Sequence, residues 1–182
     1  MPRLSPLNKD QLDAAQRAVF DKILSGPRGK VGGPFPALLQ IPTAADLMQE
    51  LGAWLRFESN LPADIREIAI LVASNHWRCE IEWEAHKTIA LKEGVDASLI
   101  EAIASDTAPV NASEKERISI SFCRELLRSK FVSDATYASA VEQFGLDCTV
   151  ELVVLVGYFT SLAMILNVFE SGPADPNLKL GL

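Results

Sequence analysis

Residues 67–86 read EIAILVASNHWRCEIEWEAH, and this stretch holds both histidines of the chain, two of its three tryptophans, one of its three cysteines and four of its glutamates. An apolar run, Ile68 to Ala73, leads into an ionisable knot of His76, Trp77, Arg78, Cys79, Glu80, Glu82, Glu84 and His86. The run predicts a helix buried on most faces, and the knot predicts a small pocket at its end. If the chain is helical after Trp77, Cys79, Glu82 and His86 stand at i, i+3 and i+7 on one face, with Trp83 at i+4 beside them. A thiol, a carboxylate and an imidazole then converge. Glu67 reaches them only if the chain turns back between its helix and the next.

Working outward, every apolar run is of helical length and none alternates with polar residues, so the predicted fold class is all-α. Leu12, Ala15, Val19, Ile23 and Leu24 keep a helical period behind a cap at Asn8 or Asp10, and Ser25-Gly26-Pro27 ends that helix. Residues 25–36, SGPRGKVGGPFP, form a loop that is either a plain connector or a cover over a pocket. Thr43 caps a helix to Phe57 with Ala44, Leu47, Leu51, Trp54 and Leu55 on one side. Pro62 and Asp64 open the helix that carries Glu67, and Gly94 closes the helix of the knot. A short helix spans Asp96 to Ala104, and Ser113 with Glu116 makes a capping box for a helix to Arg128. Ser133 caps a helix to Gly145, and Asp147 starts the last one, to about Glu170. Glu67-Ile-Ala-Ile-Leu-Val is echoed by Glu151-Leu-Val-Val-Leu-Val, which either an internal duplication or two buried helices of similar composition produces.

The 182 residues suit one domain with a proper core. The net charge of −7 and the lack of any basic run argue against nucleic acid and anionic membrane surfaces. The N-terminus has no apolar core of a signal peptide, and three widely spaced cysteines make no disulfide framework, so a cytoplasmic location is expected. Leu152 to Val168 is interrupted by Gly157, Tyr158, Thr160, Ser161 and Asn167, which suits a buried helix better than a membrane span.

Glu67, Cys79 and His86 within REIAILVASNHWRCEIEWEAH resemble the carboxymuconolactone decarboxylase family, which includes alkylhydroperoxidase D. The flanking LPADIRE, ALKEGV and VELVVLVGYFTSLAMILN fit the same pattern, over roughly residues 40–170. The resemblance implies a helical domain over 37–170, preceded by a helix and Gly/Pro-rich loop in 1–36 and followed by a tail at 171–182. It also implies a homo-oligomer, a trimer or hexamer, acting on a small molecule without a cofactor. The peroxidase branch carries Cys-x-x-Cys followed by His; here Glu82 stands where the second cysteine would be, so CEIEWEAH looks like the decarboxylase branch.

Two chemistries follow. A thiol peroxidase needs Cys79 as thiolate and a second thiol to resolve its sulfenic acid. Glu82 cannot resolve it and raises the pKa of a neighbouring thiol, which leaves a one-cysteine mechanism. An acid–base enzyme uses His86 to carry a proton, Glu82 to hold its tautomer and Glu67 to shuttle protons, as in decarboxylation of a lactone acid. Candidate substrate contacts are His76, Trp77, Arg78, Trp83 and Tyr158, each of which also has a plain packing or pairing reading. A metal site from His76, Cys79, Glu82 and His86 matches no zinc spacing, and Arg78 within it would repel a cation. A third reading is an oligomeric binding protein that kept the pocket and lost the reaction.

Overall fold

The computed structural model describes residues 3–5 and 7–171, and among these there is no strand: the chain is all-α. A 3-10 turn at Lys9–Gln11 precedes α1 (Ala14–Ser25), α2 (Phe35–Leu38), α3 (Pro42–Phe57), α4 (Ala63–His76), α5 (Glu80–Lys92), α6 (Ala97–Ala104), α7 (Glu114–Ser129) and α8 (Asp134–Val168). Asn8 caps only the first short turn; α1 is opened by Asp13, whose side chain and that of Gln16 form a reciprocal capping box. Ser113 and Glu116 do the same for α7. The residues beyond 171, including Leu178 to Leu182 of the tail, lie outside the described ones.

The apolar run fixes the architecture. Ile65 and Ile68 to Ala73 are all buried, so α4 has no solvent face over two turns and must be surrounded. It packs against α5, α6, α7 and α8. Its neighbours add Trp83, Ile100, Ile103, Ile120, Phe122, Leu152, Leu155 and Phe159 to one core. A smaller apolar cluster joins Val19 and Ile23 of α1 to Phe35, Leu39 and Ala45. α8 is long and apolar enough to cross a membrane, but more than half of its most apolar stretch is buried inside the protein. Within Asp134–Val168 the helical backbone is broken at Gly145, so the two helices expected on either side of it meet there at a kink. The Gly145 φ of 79° and ψ of 163° are strained for any residue with a Cβ.

α3 departs from expectation. Its start is Pro42, with Ile41 rather than Thr43 at the cap. Its inner face is Ala45, Gln49, Gly52 and Leu55, whereas Leu47, Leu51 and Trp54 are 64%, 38% and 37% exposed. The cause is steric. The side of α3 that faces the protein receives the Tyr158 hydroxyl and the Arg28 guanidinium, and a Cβ at position 52 would overlap both. Small residues therefore define the buried side, and the larger apolar stripe is left outside.

Candidate functional site

The chain reverses between α4 and α5 within three residues. The Arg78 amide donates to the Asn75 carbonyl, and the Cys79 amide donates to that of Ser74. Arg78 takes a φ of 50° at the bend. The turn is tied to α8 by the Trp77 indole, which donates to Thr160 Oγ1 (3.1 Å), and by the Asn167 amide, which donates to the Trp77 carbonyl (2.7 Å). This reversal lays α5 back along α4 and brings His86 opposite Glu67.

His86 Nδ1 lies 2.6 Å from Glu67 Oε2. An N–H facing a carboxylate donates to it, so this contact places the ring proton on Nδ1 and leaves the Nε2 lone pair free. Nε2 points to Glu82 Oε2 at 3.5 Å, one helical turn before His86 on α5. Glu67, Glu82 and His86 are 2%, 7% and 5% exposed. Arg66 Nε approaches the other Glu67 oxygen at 3.7 Å, and Phe159 packs its edge against the imidazole at 4.9 Å. Burial pushes the Glu82 carboxyl above the usual carboxylate range, against the opposing pull of His86, Arg56 and Arg28.

Glu82 and His86 open into a cavity of about 730 Å³. Its apolar walls include Phe35, Ile81, Ile89, Phe159 and Leu162, and Lys30 and Lys92 also line it. Two guanidiniums, from Arg28 and Arg56, face the carboxyl of Glu82 across it. Arg28 NH2 donates to the Tyr158 hydroxyl (3.2 Å), which donates to the Met48 carbonyl (3.0 Å). The Arg28 guanidinium also stacks 5.1 Å from the Phe35 ring. Burial lowers the Arg56 pKa and the charge of Arg28 adds to this, while Glu67 and Glu82 oppose it. The Gly/Pro-rich loop thus forms part of the cavity wall.

The structure brings together Glu67, Glu82, His86 and Tyr158. Cys79 does not line the cavity onto which Glu82 and His86 open. Cys79 is the N-cap of α5 with extended backbone (φ −93°, ψ 94°), so the helical i, i+3, i+7 relation begins one residue too late to include it. Its side chain makes no capping hydrogen bond and packs with Trp77, Ala163 and Leu166. The expected effect of the helix start on the thiol is present but is outweighed by burial, which pushes Cys79 up to about 11. Cys123 is fully buried and pushed up to about 12; Cys148 is raised too, mainly by burial. Trp83 belongs to the core. Trp77 holds the turn. His76 and Arg78 are exposed and line a different cavity, so His76, Cys79, Glu82 and His86 do not converge.

Arg28, Arg56 and Gly52 were not legible as site residues. The one signal for Arg28 was two basic residues in a Gly/Pro-rich loop. Arg56 gave none, because only the fold turns the last turn of α3 toward α5.

Residues 42–123 match the model of the carboxymuconolactone decarboxylase family. No curated protein matches the chain in sequence. Among solved structures, a protein from Ralstonia eutropha described as an alkylhydroperoxidase AhpD core, an uncharacterized peroxidase-related protein, superposes with a TM-score of 0.78. The match covers 96% of this chain and 93% of that one at 16% identity, and shows a shared fold.

Proposed function

We propose that this chain, whose residues 42–123 belong to the carboxymuconolactone decarboxylase family, is an enzyme that moves a proton on a small carboxylated substrate. The observation that carries the reading is the buried 2.6 Å contact between Glu67 and His86, with Nε2 and Glu82 directed into a cavity that holds two arginines. Glu67 is a positioning residue: it touches His86 behind the cavity wall and fixes its tautomer. His86 accepts a proton at Nε2, and Glu82, held toward its neutral form by burial, donates one. Arg28 and Arg56 bind the anionic part of the substrate in a low-dielectric setting, where a charge-assisted bond is strong.

On a lactone acid these groups serve decarboxylation. The bond between the ring carbon and the carboxylate breaks, and its electron pair spreads onto the lactone carbonyl, where a guanidinium meets the charge. A proton from Glu82 or His86 then returns to carbon as CO2 leaves. The thiol-peroxidase reading is disfavoured by the buried, protonated state of Cys79 and by the absence, among the described residues, of another cysteine beside it. Self-association belongs to the same reading: the outer stripe of α3 and an exposed row on α8, Leu146, Val150, Val153 and Val154, support a homo-oligomer. Light scattering on the purified protein tests this.

The test of function is a panel of lactone acids followed by CO2 release and ring absorbance. His86→Asn abolishes turnover and Cys79→Ser retains it. Hydroperoxide consumption that is lost in Cys79→Ser overturns the reading in favour of the thiol. A panel with no turnover at all favours the non-catalytic binding protein.

A further inference from the structure

A second cavity, of about 330 Å³, lies at the other end of the α4–α5 turn and is built from three helix endings. Arg78 follows α4, Asp106 follows α6 and Lys130 follows α7, and all three adopt left-handed φ values of 50°, 58° and 71°. Glycine is the residue that takes this conformation without a steric cost, and helices commonly end in it there. Two of these residues, Arg78 and Asp106, line the cavity itself, which indicates that their side chains are used there.

The charges are unbalanced. Arg78, Arg124 and Arg128 line the cavity with His76, and one carboxylate, Asp106, faces them. Asp106 is already shared by Arg124 Nε (3.2 Å) and by both oxygens' contacts with Arg128. Arg124 spends its other nitrogens on the Thr107 and Ala102 carbonyls. The Arg78 guanidinium has no hydrogen-bond or ion-pair partner among the described residues. Lys130 adds to the field, since it and Arg128 help burial to lower the His76 pKa. Helix C-termini do favour cations, but three of them supply roughly −1.5 charges in total. The three guanidiniums that line the cavity, against Asp106, leave it slightly positive after that correction, in a chain whose net charge is −7. Its inner wall is apolar: Val72, Ile103, Ala104 and Leu127.

We infer that this cavity is a second ligand site, separate from the Glu82–His86 cavity, for a small organic oxyanion whose charged head meets Arg78 and Arg128 and whose apolar body lies on Val72, Ile103 and Leu127. A carboxylate and a phosphate ester share this chemistry, and volume limits the body to about the size of one ring.

Calorimetric titration with benzoate, phenyl phosphate and inorganic phosphate tests it. The ring-bearing probes bind, inorganic phosphate binds more weakly, and the tighter of the first two identifies the head group. Arg78→Gly relieves the left-handed strain, so its Tm equals or exceeds wild type by about 2–4 °C, yet its affinity for the ring-bearing probe falls at least tenfold. Arg128→Gln weakens the same binding event, and any separate event that Arg56→Gln removes belongs to the other cavity. Failure of the wild type to bind either ring-bearing probe at millimolar concentration, or equal binding by Arg78→Gly, overturns the inference.

Discussion

The two histidines of this chain stand ten residues apart in sequence, His76 at the end of α4 and His86 well inside α5, and their surroundings differ in every respect that matters. His86 is buried between two carboxylates, one of them at 2.6 Å from Nδ1. His76 is exposed, stacks edge-on against Trp77 at 5.7 Å, and faces cations. One imidazole has a fixed tautomer and a cavity in front of its free nitrogen. The other, though exposed at its edge, is held away from its charged form by partial desolvation and by Lys130 and Arg128. What makes a histidine a candidate base is the group that orients its second nitrogen, and only His86 has one.

The largest effect that can break this comparison is on turnover. His86→Asn lowers kcat on an active lactone acid by roughly 10²–10⁴, the usual contribution of a general acid–base group, while His76→Asn stays within about twofold. Steady-state kinetics on both variants check it. Alkylation comes next. With its thiol near 11, Cys79 holds a few hundredfold less thiolate than a free cysteine at neutral pH, so iodoacetamide leaves it unlabelled in the folded protein and labels it after unfolding. Mass spectrometry of the digested protein reads this. Glu67→Gln sets opposite Nδ1 an amide that donates as well as accepts, so the tautomer is no longer fixed, and turnover falls roughly tenfold or more with little change in KM.

Gly52→Ala is a smaller and differently shaped perturbation. The added methyl displaces Tyr158 or Arg28, costs about 1–3 kcal/mol of stability by overpacking, and raises KM more than it lowers kcat. Thermal melts and kinetics together separate the two effects. The smallest effect is on pH dependence. Burial raises the Glu82 carboxyl above its unfolded value, so the native state keeps a proton that the unfolded chain has already lost. The stability this gives is full below the unfolded pKa and declines as pH rises through the folded one. Glu82→Gln removes that decline, and Tm measured from acid to neutral pH falls less in the variant than in wild type.

Much of this was legible in the sequence for a physical reason. The run from Ile68 to Ala73 has no polar side, so it could only be a core helix, and the Ser113–Glu116 box marks a helix start by local hydrogen bonding alone. The pairing of Glu82 with His86 follows from one helical turn. Cys79 was misplaced because spacing does not reveal whether a residue sits inside a helix or at its cap, and at the cap the side chain leaves the helical face. The apolar stripe of α3 does not reveal which side is buried, because periodicity marks two faces when one is small: Ala45 and Gly52 pack where Leu47 and Leu51 do not. Arg28 and Arg56 reach the cavity through contacts between segments far apart in the chain, which no local pattern encodes.

The central claim, that Glu67 holds His86 in one tautomer for proton transfer, can be measured without a substrate. ¹⁵N spectra of the imidazoles at alkaline pH report which nitrogen carries the proton, with His76 as an internal reference. Wild-type His86 is expected to show a protonated Nδ1 and a bare Nε2, and Glu67→Gln to lose that preference while His76 is unmoved. A wild-type His86 signal that matches the mixed tautomers of His76, and that Glu67→Gln does not change, would contradict it.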